Sequence, residues 1–377
     1  MNRGRGFVRM ISFLAVALLL CGGLCACDKK EEEETLVSGI SSGEYEYARS
    51  DKTKTAHISK YKGVESTLEI PATIDNLPVV SVEKDTFAGN KTLKQVVLPS
   101  SLETVEDGAF KNCTSLNAVK LGDTVKVIGD NAFSGCTALT ALSLPDSVTT
   151  IGDNAFSGCS SLEKIIIGKG IESVGADAFY GTKWFASLTD EFVIVGNGVL
   201  IDYNGKSPIV TLPKEVKHIA GAFLNNTSVQ SVTLPDGIDR VDANAFQGCT
   251  RLNTVKLPDS VTSIGSYAFA RCISLTGLVL PETVTEIGGN AFFGCITLRD
   301  FTVPQNVTVV EEKTFAGCTG LARITFTETV TEIKKDAFAD CGAINVVAYS
   351  GKKSNWEKVK IADGNEALAN ALLNCAE

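Results

Sequence analysis

The stretch Leu139-Thr140-Ala141-Leu142-Ser143-Leu144-Pro145-Asp146-Ser147-Val148-Thr149-Thr150-Ile151-Gly152-Asp153-Asn154-Ala155-Phe156-Ser157-Gly158-Cys159 carries the unit from which most of this chain is built. Leu142 and Leu144 alternate with Ala141 and Ser143, which is the period of a half-buried strand. Pro145 closes that strand because proline has no donor for a ladder, and Pro99, Pro235, Pro258, Pro281 and Pro304 stand at the same place. Val148, Ile151 and Phe156 then turn inward around a corner whose Asp153 and Asn154 side chains can bond nearby amides. The ring recurs at Phe87, Phe110, Phe133, Phe156 and Phe179, then at Phe223, Phe246, Phe269, Phe292, Phe315 and Phe338, always 23 residues apart within each run. A unit of that length cannot bury its own apolar face. It gains a core only by stacking, so the chain is expected to be a repeat solenoid, with short parallel strands on one face and turns or short helical segments on the other.

Three further columns share the period. Ala155 recurs as Ala109, Ala132, Ala178, Ala245, Ala268, Ala291 and Ala337, a small residue beside each stacked ring. Two places after the ring come Gly89, Asn112, Gly135, Gly158, Gly181, Asn225, Gly248, Gly294, Gly317 and Asp340, types that tolerate a left-handed corner, with Arg271 the exception. Next stand Cys113, Cys136, Cys159, Cys249, Cys272, Cys295, Cys318 and Cys341, with Asn90 and Asn226 opening the two runs. The pattern C-x-x-L-x-x-(I/V/L)-x-L-P followed by V-x-x-I-G-x-x-A-F, met from Cys136 to Phe156, resembles the BspA-like leucine-rich repeats, also called the Treponema pallidum type. The resemblance covers residues 83–342. Gly122, Gly168 and Thr327 replace the proline, and Glu106 and Glu311 replace the glycine before the ring. It implies a leucine-rich repeat solenoid on a cell surface, with a role in adhesion to matrix proteins or other cells.

The period breaks between Phe179 and Phe223. Two β-rich runs around Gly196-Asn197-Gly198 predict a hairpin inside an irregular coil at 183–212. Insertions in a solenoid often serve its binding face, which makes Val195, Asn197, Val199 and Tyr203 candidate contacts. The other reading is a degenerate coil in which the hairpin patches the core, with Trp184 and Phe185 filling the space of the missing ring. Residues 43–82 read as an N-terminal cap of irregular strands, and 343–377 as a C-terminal cap with a helix-prone run from Asn365 to Leu373.

Arg3, Arg5 and Arg9 precede an uncharged stretch that ends in Leu24-Cys25-Ala26-Cys27. Residues 1–26 therefore read as a lipoprotein signal peptide, with the mature chain lipidated on Cys27 and anchored outside the membrane; an uncleaved anchor is the alternative. Residues 27–42 read as a disordered, charged tether. Loss of residues 1–26 leaves 32 basic against 44 acidic residues, a formal −12, which argues against nucleic acid as a partner.

The outward positions of the short strands follow by alternation: Gln95, Lys120, Ser143, Lys164, Thr233, Lys256, Asp300 and Arg323 are the candidate binding face, interleaved with Val97, Ala118, Ala141, Ile166, Ser231, Thr254, Gly277, Val279, Thr302 and Thr325. No histidine and no clustered carboxylate pair falls among them, so the face suits contact with a protein or glycan better than acid–base catalysis. No enzyme activity, cofactor or metal is expected. His57 and His218 have no evident partners, and thiols spaced 23 apart do not converge as zinc ligands do. Side chains in a ladder point the same way, so the cysteine column is read as buried thiols in preference to disulfides.

Overall fold

The computed structural model describes residues 8–10, 35–276 and 278–376. They fall into two compact units, Met1–Ile171 with Asp177–Ser187, and Glu172–Ala176 with Leu188–Glu377. Both are stacks of solenoid coils with little helix. The predicted alternation forms the first ladder: Gln95–Val97 pairs in parallel with Ala118–Lys120, and Ser231–Thr233 with Thr254–Lys256, each residue facing its counterpart one repeat on. A second, two-residue strand follows the corner, as where Val127–Ile128 lies between Thr104–Val105 and Thr150–Ile151.

The ring-bearing turn makes a third ladder. Phe110 N–H donates to the Ala132 carbonyl at 2.7 Å, and Phe246 N–H to that of Ala268 at 2.8 Å. Regular coils are thus bonded to their neighbours within a unit along as many as three lines, and the ring-turn ladder holds left-handed corners where the side chain gives no help: Arg271, Tyr267 and Lys313 have φ of +60°, +58° and +58° beside glycine or asparagine in neighbouring coils. Gly152 is required by closeness, since a Cβ there would lie 2.6 Å from the Asp130 nitrogen of the coil before.

Inside, the rings stack face to face. In the first unit Phe87, Phe110, Phe133, Phe156 and Phe179 lie 4.9 to 5.6 Å apart within 6° of parallel, and the edge of Trp184 closes the stack. Trp184 belongs to a short helix, Lys183–Ala186, capped by the Thr182 hydroxyl. In the second unit Phe223 to Phe338 repeat the arrangement at 5.2 to 5.5 Å. Every column thiol is free and buried, and donates to the carbonyl of the phenylalanine 26 residues earlier, as Cys249 does to Phe223 at 2.9 Å. Asn90 and Asn226 open their runs by folding Oδ1 onto the amides of Leu93 and Val229 instead.

Three expectations are corrected. Residues 35–42 of the expected tether form the strand Thr35–Ser42, antiparallel to Tyr45–Ser50, because Leu36 is buried in the cap and Gly43 turns the hairpin at φ +57°. The helix expected from Asn365 shrinks to Glu366–Ala369, and Leu372–Ala376 joins the first ladder beside Val346–Lys352, the coil's ladder overriding local helix propensity. The hairpin forms, Phe192–Val195 against Val199–Tyr203, but its second strand is a coil strand. Val199 is fully buried, and the Tyr203 ring is buried between Phe192 and Phe223 at 5.3 and 5.1 Å. Neither is a surface contact: Tyr203 supplies the missing ring. The expected leader and Cys27, the expected lipidation residue, lie outside the described residues, apart from Val8–Met10, which runs antiparallel to Thr35–Ser42.

Candidate functional site

Alternation turns one side chain in two of the first strand outward, and the parallel register lines these up in columns. Gln95 sits beside Ala118 and Val97 beside Lys120; Ala141 beside Lys164 and Ser143 beside Ile166. In the second unit Ile209, Ser231 and Thr254 form one column, Thr211, Thr233 and Lys256 the next, and Asp300 stands beside Arg323. Gln95, Lys120, Ser143, Lys164, Lys256, Asp300 and Arg323 are exposed as expected, and Thr233 is half-buried. The face also carries bare apolar side chains, with Val279 88% and Ile166 69% exposed.

Where the strand ends and the proline turns the chain, each unit has a groove at the same point of its repeat. In the first it encloses about 620 Å³ and is walled by Glu69, Val97, Lys120, Pro71, Pro99 and Asp123. In the second it encloses about 410 Å³ between Thr211, Thr233 and Lys256 on one side and Lys214, Asp236 and Pro258 on the other. Lys120, Thr233 and Lys256 of the candidate set therefore line grooves, whereas Ser143, Lys164, Asp300 and Arg323 stand on the open face. Val195 and Asn197 are half-buried at the hairpin, and the Asn197 Oδ1 accepts from the Lys217 ammonium at 2.6 Å.

Glu69, Asp123, Lys214 and Asp236 were missed by alternation. A sequence signal for three of them exists: a polar or charged residue follows the strand-ending position in coil after coil, at Ser100, Asp123, Asp146, Lys214, Asp236, Asp259 and Glu282.

A second polar site lies on the two-residue strands of the second unit. Asp242 accepts from Arg240 Nε at 2.7 Å and from the Ile219 amide at 2.8 Å, while an Arg240 terminal nitrogen donates to the Glu172 carbonyl at 3.3 Å. His218 is buried beside them with its Nδ1 unbonded. Burial, reinforced by the Arg240 charge, holds the imidazole below its ordinary value of 6.5 and therefore neutral. On the turn side, Asp107 and Asp130 carboxylates accept from the amides of Asp130 and Asp153 at 3.0 and 2.7 Å, and burial raises the Asp130 carboxyl. These carboxylates hold the corners of neighbouring coils together. The described residues hold no group of three or more His, Cys, Asp or Glu placed to bind a metal ion.

A family model described as the BspA type leucine rich repeat region matches residues 79–191 and 217–345, in six copies. The chain belongs to the BspA-type leucine-rich repeat family. Among solved structures, a leucine rich cell surface protein from Faecalibacterium prausnitzii is 28% identical, over 86% of this chain and 98% of that one, with a TM-score of 0.43. The pneumococcal vaccine antigen PcpA is 17% identical, over 92% of this chain and 98% of its own, with a TM-score of 0.46. The leucine rich repeat protein of T. pallidum is 20% identical, over 81% and 90%, with a TM-score of 0.25. Comparison with proteins of curated function finds no match. The ring and cysteine columns and most of the alanine column are buried, whereas the glycine column sits at half-exposed or exposed corners, so the repeat pattern of this BspA-type chain accounts for its core and its turns. Among the described residues no helix is long and apolar enough to cross a membrane.

Proposed function

We propose that this chain is a surface-anchored recognition protein that holds a protein or glycan ligand against its outward strand columns and the adjoining proline grooves. The observation that carries the reading is the repetition of the groove at one point of the coil in both units, lined by lysine, carboxylate and hydroxyl groups without a converging acid–base pair. Such a surface offers shape and charge to a partner. BspA-type repeats are recognition scaffolds, which supports the reading, and the Leu24 to Cys27 motif supports lipid anchoring outside the cell membrane.

The test is binding of the chain from residue 35 onward to arrayed matrix proteins, glycans and whole bacterial cells. Saturable binding to matrix or host glycans that falls on Lys256→Glu places an adhesive contact in the groove. Binding confined to bacterial envelope material makes the chain an envelope scaffold. Silence across the array, or consumption of an arrayed glycan or peptide, would overturn the proposal.

A further inference from the structure

The groove of the second unit differs from that of the first in the charges on its walls. Its strand-side wall runs Thr211, Thr233, Lys256 over three adjoining coils in parallel register, and its turn-side wall runs Lys214, Asp236, Pro258 over the same three. The two lysines therefore stand diagonally, one in the first coil and one in the third, with Thr233 and Asp236 across the groove from each other in the coil between. Paired strands lie about 4.8 Å apart, so the two lysines are offset by ~9.6 Å along the groove. Leu212, Leu234, Leu257 and Pro235 make its floor apolar.

The fold uses none of these polar groups. Thr211, Lys214, Thr233, Asp236 and Lys256 make no hydrogen bond or ion pair with another described residue. Threonines elsewhere in the unit are committed to carbonyls of the coil before, as Thr262 is to Asp239 at 3.0 Å, Thr283 to Val261 at 2.7 Å and Thr285 to Thr262 at 3.2 Å. In the first unit the corresponding wall reads Glu69, Val97, Lys120, and Asp123 stands across from the lysine, so one ammonium meets two carboxylates. The second groove reverses that balance, with two unpaired ammonium groups against Asp236, since Asp259 beyond Pro258 does not line it. On a chain that is formally −9, this is a local site for anionic groups.

We propose that this groove takes an acidic polysaccharide in which uronate sugars alternate with neutral ones, an assignment that rests on the recognition role given above and names its ligand class. Two successive uronates bring their carboxylates to Lys214 and Lys256, each an ammonium with three donors. The neutral sugar between them gives a hydroxyl proton to Asp236, accepts from the Thr233 hydroxyl, and lays its C–H face on the leucine and proline floor. Asp236 also sets the pattern. A polymer charged on every unit, such as a nucleic-acid strand with one charge per ~3.4 Å, brings an anion against that carboxylate and is disfavoured.

The test titrates the full-length chain, in detergent, with hyaluronan oligosaccharides, which alternate glucuronate with a neutral amino sugar. Saturable binding is expected, weakened roughly fivefold, ~1 kcal/mol, by Lys214→Gln and by Lys256→Gln singly. Oligogalacturonate, charged on every sugar, should bind the native chain more weakly and should gain affinity on Asp236→Asn. Hyaluronan binding that neither lysine variant changes would overturn the assignment, as would oligogalacturonate or single-stranded DNA binding as tightly as hyaluronan. Failure to bind hyaluronan alongside saturable binding of a neutral glycan or a matrix protein would overturn it and leave the recognition role standing, whereas silence toward all of these would overturn both.

Discussion

The Cys136 thiol donates to the carbonyl oxygen of Phe110, 26 residues earlier, at 3.2 Å, and the same bond is repeated by every cysteine of the column. The sulfur sits under the corner of the preceding coil and gives a second donor to a carbonyl that already accepts from the amide three residues on, as Phe110 does from Cys113 at 3.2 Å. Burial pushes Cys249 and Cys341 up to about 12, and Cys272, Cys295 and Cys318 higher still. A thiol so placed yields almost no thiolate at neutral pH, and the thiolate is the reactive form.

All eight column thiols are 1% exposed or less, so the column should be shielded from reagents in the folded chain. In the chain from residue 35 onward, treated with a thiol reagent at pH 8, Cys375, which is half-exposed, should react promptly, and the eight column thiols should appear only on unfolding in guanidinium. Rapid labelling of the column under native conditions, or its failure to label after unfolding, would contradict the thiol assignment.

Phe269 is fully buried between Phe246 and Phe292, at 5.4 and 5.5 Å. Phe269→Ala removes the ring from a stack whose backbone ladders hold the neighbours apart, so the cavity cannot collapse. A loss of about 3 to 5 kcal/mol in urea unfolding is expected; a change under about 1 kcal/mol would mean that the stack does not carry the core.

Tyr203 separates the two readings of the hairpin. Its ring fills the place of a repeat phenylalanine, and its hydroxyl donates only to the Ser207 carbonyl at 3.3 Å. Tyr203→Ala should cost about 3 to 5 kcal/mol, while Tyr203→Phe should cost less than about 1.5. If Tyr203→Ala weakened ligand binding with stability unchanged, the side chain would be a contact after all.

His218 makes the second unit sensitive to acid. Its folded pKa lies below the unfolded value of 6.5, so the unfolded chain takes up the proton first as pH falls. The stability tied to the neutral ring is complete above 6.5 and is lost progressively as pH drops from there toward the lowered folded value. The melting temperature should fall more between pH 7.5 and 5 for the native chain than for His218→Gln; equal slopes would show that the ring is hydrated in the fold.

A strict period makes a core legible from sequence, and here it exposed the rings, the proline stops, the strand alternation and the outward columns. The corner at Arg271 resisted, because its left-handed backbone is imposed by ladders on either side and not by the residue itself. The grooves were half visible: Lys120 and Thr233 follow from alternation, whereas Lys214 and Asp236 join them only because the chain turns back at the proline. Tyr203 could be named as part of a hairpin but not as the substitute ring, since its spacing to Phe223 is 20 and no period marks it.

By itself the sequence determined which residues lie inside this solenoid, because burial is demanded by side-chain chemistry repeated at one interval. Which irregular segments enter the stack was decided by tertiary structure alone. Thr35–Ser42, Tyr203 and Leu372–Ala376 have weak or contrary local preferences, and they take their places because an adjoining coil offers unpaired backbone groups and an uncovered core that no local pattern records.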